Sequence, residues 1–272
     1  MKRVIISGGG TGGHIYPAIA IADAVRSCLS DVELLFVGAE GKMEMEKVPA
    51  AGYKIIGLPV AGFQRRLTLK NLMFPFKLMR SMTRSKKVVR DFNPDIAIGV
   101  GGYASGPVLR VASGRGIPTV IQEQNSYPGV TNKILAKRAS AICVAYEGMD
   151  RFFPADKIHL TGNPVRRDIA DLKDKREDGI RFYNLDSGKR TILVMGGSLG
   201  ARTLNEALVA ATEVIGENQD IQWIWQSGSF YKGMYDDSQL AKLPNVRNLA
   251  FIERMDLAYA CADLVIGRAG AL

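Results

Sequence analysis

Histidine, cysteine and tryptophan are scarce in this chain, with two, three and two residues among 272. Cys28, Cys143 and Cys261 are odd in number, far apart and without CxxC spacing. That excludes a disulfide framework and a cysteine-based zinc site, and leaves reduced, buried thiols as the expectation. No clustered metal-ligand spacing is present, so neither a metal nor a cofactor is expected. No uninterrupted apolar run approaches the ~20 residues of a membrane span. The amino terminus passes from Met1-Lys2-Arg3 directly into a strand-like run and glycines, without the apolar stretch and cleavage site of a secretory leader. The expectation is a protein that stays on the cytosolic side.

What the chain has in quantity is apolar residues, 47%, and glycine, 29 residues. It is long enough for two domains of ordinary size. Its net charge of +9 is concentrated. Arg65, Arg66, Lys70, Lys77, Arg80, Arg84, Lys86, Lys87 and Arg90 fall between Phe63 and Phe92, opposed only by Asp91. A local block of this kind implies a local anionic partner. It lacks the interleaved Tyr and Trp of a nucleic-acid platform, so no nucleic acid is expected.

Short apolar runs alternate with helical patterns. Strands are predicted at Val4–Ser7, Glu33–Val37, Lys54–Leu58, Asp95–Val100, Pro118–Ile121 and Ala141–Val144. Helices are predicted at Pro17–Leu29, Met43–Ala51, Pro107–Gly114 and Val130–Arg138. The pattern breaks near Thr161-Gly162-Asn163-Pro164, and a polar stretch runs from Arg166 to Lys189. Alternation resumes with strands Thr191–Met195, Ile221–Gln226, Val246–Leu249 and Asp263–Ile266 and a helix over Arg202–Ile215. This is an α/β pattern with parallel sheets covered on both faces. It predicts two Rossmann-like domains, 1–163 and 164–272, facing a cleft. The second is expected to be incomplete, since the sequence stops as a new glycine turn opens at Gly267–Leu272.

Two glycine-rich turns have the same plan. Ser7-Gly8-Gly9-Gly10-Thr11-Gly12-Gly13-His14 follows the first strand, and Gly196-Gly197-Ser198-Leu199-Gly200-Ala201 follows the strand ending at Met195. Each opens a helix, which places exposed backbone N–H groups where phosphate can be held. Gly8-x-Gly10-x-x-Gly13 fits the dinucleotide fingerprint, but the second predicted strand ends Phe36-Val37-Gly38 with Glu40 beyond it, which argues against NAD. No Gly-Lys-Ser/Thr follows, so this is not a Walker loop. His14 ends the first turn, where a neutral imidazole is a candidate proton acceptor. His159 lies in an ordinary strand pattern and reads as structural.

Five ordered motifs carry a family resemblance. They are Gly9–His14, Gly101-Gly102-Tyr103-Ala104-Ser105-Gly106-Pro107, Glu123-Gln124-Asn125, Gly162-Asn163-Pro164-Val165-Arg166 and Gly196–Ala201. In order and spacing the chain resembles the MurG family, glycosyltransferase family 28, over its whole length. The resemblance implies a GT-B fold. It implies inverting transfer of N-acetylglucosamine from UDP-GlcNAc to lipid I, giving lipid II for peptidoglycan, at the cytoplasmic face of the bacterial membrane. It also implies that the family's donor loop begins at Arg268-Ala269-Gly270-Ala271-Leu272 and continues past this sequence, so the 272-residue chain alone is expected to be inactive. Another lipid acceptor such as diacylglycerol, or a non-catalytic membrane-binding module, stays open as an alternative.

Inverting transfer needs a base for the acceptor hydroxyl and stabilisation of the leaving diphosphate. His14 is the candidate base. The resemblance makes Thr11, Gly12 and Gly13 donor contacts in the first turn, Asn125 a ligand contact, Ile252 the backbone position that meets uracil, and Ala271 and Leu272 the first residues of the donor loop. Arg166 can fork onto phosphate oxygens, and Ser198 sits in the second turn. Tyr103 is an acceptor-side candidate. A helix beginning near Pro75 would put Lys77, Arg80, Arg84 and Lys87 on one side, with Leu78, Val89 and Phe92 opposite and packed on the sheet. Leu72, Phe76, Met79 and Met82 form a further stripe, readable from periodicity as core or as an interfacial site. The resemblance favours docking on an anionic membrane surface.

Overall fold

The computed structural model describes residues 1–60, 74–166, 169, 171–197 and 199–268. The chain divides into two compact units, Met1–Arg166 and Arg167–Gly270.

The first unit holds a parallel sheet of β1 (Lys2–Ser7), β2 (Val32–Ala39), β3 (Lys54–Leu58), β4 (Ile96–Gly99), β5 (Thr119–Glu123), β6 (Ala141–Val144) and β7 (Ile158–Leu160) in the order 3-2-1-4-5-6-7. Period-two alternation sends successive residues of β1 to opposite faces. Val4 and Ile6 join a core with Ile15, Ile19 and Val48 of α1 (Gly12–Cys28) and α2 (Glu44–Ala50). Ile5 joins the other core, with Val88 of α3 (Phe74–Phe92), Val108 and Leu109 of α4 (Ser105–Gly114) and Leu135 of α5 (Val130–Ala136). Each fully buried Ile, Leu or Val contributes about 1.5–3 kcal/mol relative to exposure, so the two-faced burial fixes the register. Strand order reverses at β1, which pairs with β2 on one side and β4 on the other. The crevice at the carboxyl ends of β1 and β4 is therefore the ligand position of such a sheet.

Several expectations are corrected here. Helix α1 begins at Gly12, five residues before Pro17, and Pro17 is buried inside it. Proline favours a first turn, but burial of Ile15, Ala18 and Ile19 extends the helix through it. Strand β2 continues to Ala39, which brings Glu40 to its end. Leu78 does not pack on the sheet but is exposed. The buried face of α3 starts one turn later, with Ser81, Ser85, Val88 and Val89. Met82 packs against the core rather than joining Phe76 and Met79 outside. His159 lies on β7 with its side chain exposed.

The second unit has a parallel sheet of β8 (Arg190–Met195), β9 (Ile221–Gln226), β10 (Val246–Leu249) and β11 (Leu264–Gly267), ordered 10-9-8-11. The polar stretch after Arg166 is not merely a connection, because it contains α6 (Arg176–Phe182), which packs against α9 (Met255–Cys261). With Tyr183, Leu193, Ile224 and Leu257 these helices close one face. The helix expected over Arg202–Ile215 is two, α7 (Arg202–Ala210) and α8 (Thr212–Glu217), broken at Ala211. Leu208 and Ile215 from them meet Val194 and Trp225 on the other face. Among the described residues no helix is long and apolar enough to cross a membrane.

Candidate active site

Because β1 and β4 are neighbours, the turns that follow them meet. Both are glycine turns for a steric reason. A Cβ on Gly102 (φ +82) would lie 2.3 Å from the Gly9 carbonyl oxygen, and one on Gly101 (φ +91) would lie 2.8 Å from Cε1 of His14. The two backbones pack directly on each other, and the imidazole lies against Gly101.

The first turn is not an empty cradle. Glu44, buried in the first turn of α2, sends its carboxylate into it. Oε2 accepts the Gly10 N–H at 3.0 Å, and Oε1 accepts the Ala39 N–H at 2.9 Å. An internal anion thus occupies the Gly10 amide, which a dinucleotide pyrophosphate would otherwise approach. Glu40, at the end of β2, is paired with Arg84 of α3. The groups left for a ligand are at the helix start. Thr11 is the N-cap and makes no side-chain capping bond, and Thr11 and Gly13 are exposed.

His14 Nδ1 lies 3.1 Å from Oε1 of Gln124. Gln124, at the carboxyl end of β5, is buried and donates from Nε2 to the Val100 carbonyl at 3.0 Å and to Gln122 Oε1. Next to it, Glu123 is buried and organises the following loop. Its Oε1 accepts the Asn125 backbone N–H and Nδ2, each at 3.1 Å. Its Oε2 accepts the Gly129 N–H at 3.1 Å and Asn132 Nδ2 at 2.8 Å. With Nδ2 committed to Glu123, the exposed Asn125 presents its amide oxygen to a ligand hydroxyl. His14, Gly101, Gly102, Glu123, Asn125 and Tyr127 line a cavity of roughly 160 Å³. Tyr103 is exposed on the Gly101–Gly102 turn. The Arg166 guanidinium stacks 4.8 Å over the ring of Tyr16 on α1.

In the second unit the glycine turn rests on the turn after β9. A Cβ on Gly200 (φ +88) would lie 2.1 Å from the Ser227 carbonyl oxygen. Gln226, buried, donates from Nε2 to the Gly197 carbonyl at 2.8 Å and accepts the Ile252 N–H on Oε1 at 3.3 Å. Asn205 of α7 donates to the Ser227 carbonyl at 2.8 Å and accepts Trp225 Nε1 at 3.0 Å. The Ile252 side chain is in the core, so only its backbone can serve a ligand.

The structure therefore brings Thr11, Gly12, Gly13, His14 and Tyr103 to one crevice, with His14 and Asn125 on one cavity. It places Arg166 beside α1 and Ile252 beside the second turn. Phe76 and Met79, 64% and 65% exposed, stand with exposed Lys77 and Arg80 on the first turns of α3. Ser198, Ala271, Leu272 and Leu72 lie outside the described residues. Glu44, Glu123, Gln124 and Gln226 were not singled out as site residues by sequence reasoning. The one signal was the polar run Gln122–Asn125 at the end of an apolar strand.

Comparison with known proteins gives the family and the fold. Residues 4–144 match the glycosyltransferase family 28 N-terminal domain, and residues 191–272 match the family 28 C-terminal domain. A Bacteroides thetaiotaomicron protein is 56% identical over 273 residues, covering 99% of this chain and 73% of that protein. A Flavobacterium psychrophilum protein is 55% identical, covering 99% and 72%. Both are named UDP-N-acetylglucosamine–N-acetylmuramyl-(pentapeptide) pyrophosphoryl-undecaprenol N-acetylglucosamine transferase. The crystal structure of Acinetobacter baumannii MurG superposes with a TM-score of 0.67 at 28% identity, over 100% of this chain and 74% of that one. A UDP-GlcNAc 2-epimerase from Neisseria meningitidis shares the fold, with a TM-score of 0.67 at 13% identity over 99% of this chain and 78% of its own.

Proposed function

The chain belongs to glycosyltransferase family 28, and from that membership we propose that it transfers N-acetylglucosamine from UDP-GlcNAc to the muramoyl 4-hydroxyl of lipid I, forming lipid II. The observation that carries the reading is the meeting of an exposed helix start, His14 and a Glu123-oriented Asn125 at one switch point, in a chain 56% identical to transferases of that name. In the first unit, Nε2 of His14 takes the acceptor hydroxyl proton as that oxygen bonds to the anomeric carbon. The bond from that carbon to the diphosphate oxygen breaks, and its electron pair leaves with UDP, so the anomeric centre inverts. Thr11, Gly12, Gly13, Asn125 and Arg166 hold substrate phosphate and hydroxyl groups, and Tyr103 stands on the acceptor side. The second unit binds UDP-GlcNAc, with uracil at the Ile252 backbone and the diphosphate at the turn of Ser198. Ala271 and Leu272 begin the loop over the sugar. UDP release by the complete gene product tests this. It should appear with lipid I and not with diacylglycerol, and the reverse preference would overturn the acceptor assignment.

The same enzyme works at the cytoplasmic face of the membrane, held by α3. Exposed Phe76 and Met79 enter the interface while Lys77 and Arg80 meet anionic headgroups. Vesicles rich in anionic lipid should bind it, less so as salt rises. Phe76→Ser with Met79→Ser should reduce binding about tenfold with unchanged far-UV circular dichroism. Equal binding by the double variant would remove α3 from the docking surface.

A further inference from the structure

The polar chain behind His14 has a direction, and that direction decides which ring nitrogen carries the proton. A backbone carbonyl can only accept, so the Gln124 group 3.0 Å from the Val100 oxygen is the amide nitrogen. Its second hydrogen goes to Gln122 Oε1. The amide oxygen of Gln124 is thereby turned to Nδ1 of His14, 3.1 Å away. Rotating the amide by half a turn would set its one oxygen against two acceptor oxygens, those of Val100 and Gln122, in a buried site, since Gln124 is 1% exposed. An amide oxygen cannot donate, so the bond requires a proton on Nδ1.

We propose that Gln124 is the positioning residue that fixes His14 in the Nδ1–H tautomer, leaving the Nε2 lone pair as its only basic site. Free neutral imidazole side chains favour the opposite tautomer, with the proton on Nε2, which could not accept a hydroxyl proton there. The bond to Gln124 inverts that preference before substrate arrives, and contact with Gly101 holds the ring in place. Glutamine does this without adding charge. A carboxylate could receive the Nδ1 proton but could not donate to Val100. The catalytic consequence rests on the proposed base role of His14, whereas the tautomer does not.

This sequence has only His14 and His159, so long-range ¹⁵N–¹H spectra of the 272-residue chain labelled at histidine contain two ring systems. His159→Gln assigns them. At a pH where the imidazole is neutral, His14 should show a protonated Nδ1 and a bare Nε2. Gln124→Leu should move it to the Nε2–H form and, in the complete gene product, lower kcat about 10²-fold and leave the KM for UDP-GlcNAc within about twofold. Gln124→Glu, which still accepts from Nδ1, should restore the Nδ1–H form. A wild-type His14 protonated on Nε2, or a tautomer unmoved by Gln124→Leu, would overturn the proposal. Should Gln124→Leu not fold, the wild-type spectrum decides alone. Near-normal turnover of His14→Ala would instead remove the base reading, with the tautomer assignment intact.

Discussion

The two glycine turns share a strand-to-helix plan and differ in what braces them from behind. In the first unit the brace is a carboxylate, Glu44, bonded to the Gly10 and Ala39 amides. In the second it is a neutral amide, Gln226, bonded to the Gly197 carbonyl and the Ile252 N–H. A turn that already contains an anion is poorly suited to take a second one at the same amide. It is suited to hold a helix start and a histidine rigidly beside a hydroxyl. A turn braced by a neutral group carries no internal anion to repel a diphosphate, and Gln226 ties it to the backbone proposed to read the base. On the proposed reading, similar glycine spacing would serve proton transfer in one unit and nucleotide binding in the other.

The largest effect that would test this division is at the base. His14→Ala in the complete gene product should lower kcat by about 10²–10⁴ while the affinity for UDP-GlcNAc changes little. A variant that instead lost donor affinity at unchanged kcat would move the first turn to the nucleotide side. The next effect is at the carboxylate brace. Glu44→Ala leaves the buried Ala39 N–H without its partner, at about 1–3 kcal/mol, and frees the part-buried Gly10 N–H. Hydrogen exchange at Gly10 and Ala39 should then speed up at least tenfold, with β8 and β9 amides unchanged. Equal acceleration in both units would mean that the brace serves global stability and not the turn. Smaller again is Gln226→Ala, expected to weaken UDP binding about tenfold by calorimetry and to leave the His14 resonances in place. Unaltered UDP affinity would separate the second turn from the Ile252 backbone.

How far the sequence could be read depends on where each signal sits. Strands Lys54–Leu58, Ala141–Val144, Ile221–Gln226 and Val246–Leu249 have the bounds expected. Each is a short β-rich run, and the pattern that marks it is local. Helices α6 and α9 escaped although α2 and α5 are equally short, because α6 lies inside the polar stretch read as a break and α9 was not separated from the loop between β10 and β11. The start of α1 was misplaced because a local proline rule lost to burial on the sheet. In the site, His14 and Asn125 lie in recognisable motifs. Glu44 and Gln226 do not, and although Gln124 shares the motif of Asn125, no brace's role could be read there, because the partners are distant in sequence. Glu44 reaches a backbone amide 34 residues away, Gln124 meets His14 across 110, and Gln226 bonds Gly197 across 29. Hydrogen bonds to backbone place few demands on the identity of the partner, so they leave little trace in a single sequence.

The smallest effect expected is a difference in acid stability, and it can be read in the second unit alone. Both tryptophans, Trp223 and Trp225, lie in β9, so intrinsic fluorescence reports on that unit. There Asp256 is buried and accepts Arg254 Nε at 2.9 Å and Nη2 at 2.8 Å, with Lys175 Nζ at 3.6 Å. Hydrogen bonding from Arg254, opposed by burial and helped by its charge, holds the Asp256 carboxyl below its ordinary value. Asp263 is also lowered, because the Thr191 N–H and Arg176 outweigh the effect of its burial. A carboxylate whose folded pKa is depressed stabilises the fold above its unfolded value of about 3.9, and that contribution disappears as pH falls through the folded value. Half of the Arg254 side chain is in water, so the Arg254–Asp256 contribution is about 1 kcal/mol at neutral pH. Asp256→Asn should therefore unfold at lower denaturant than the parent at pH 7, by tryptophan fluorescence, and the gap should narrow as pH falls below about 3.9. A gap that does not narrow as pH falls would assign the loss to packing around Leu257 and not to the charge.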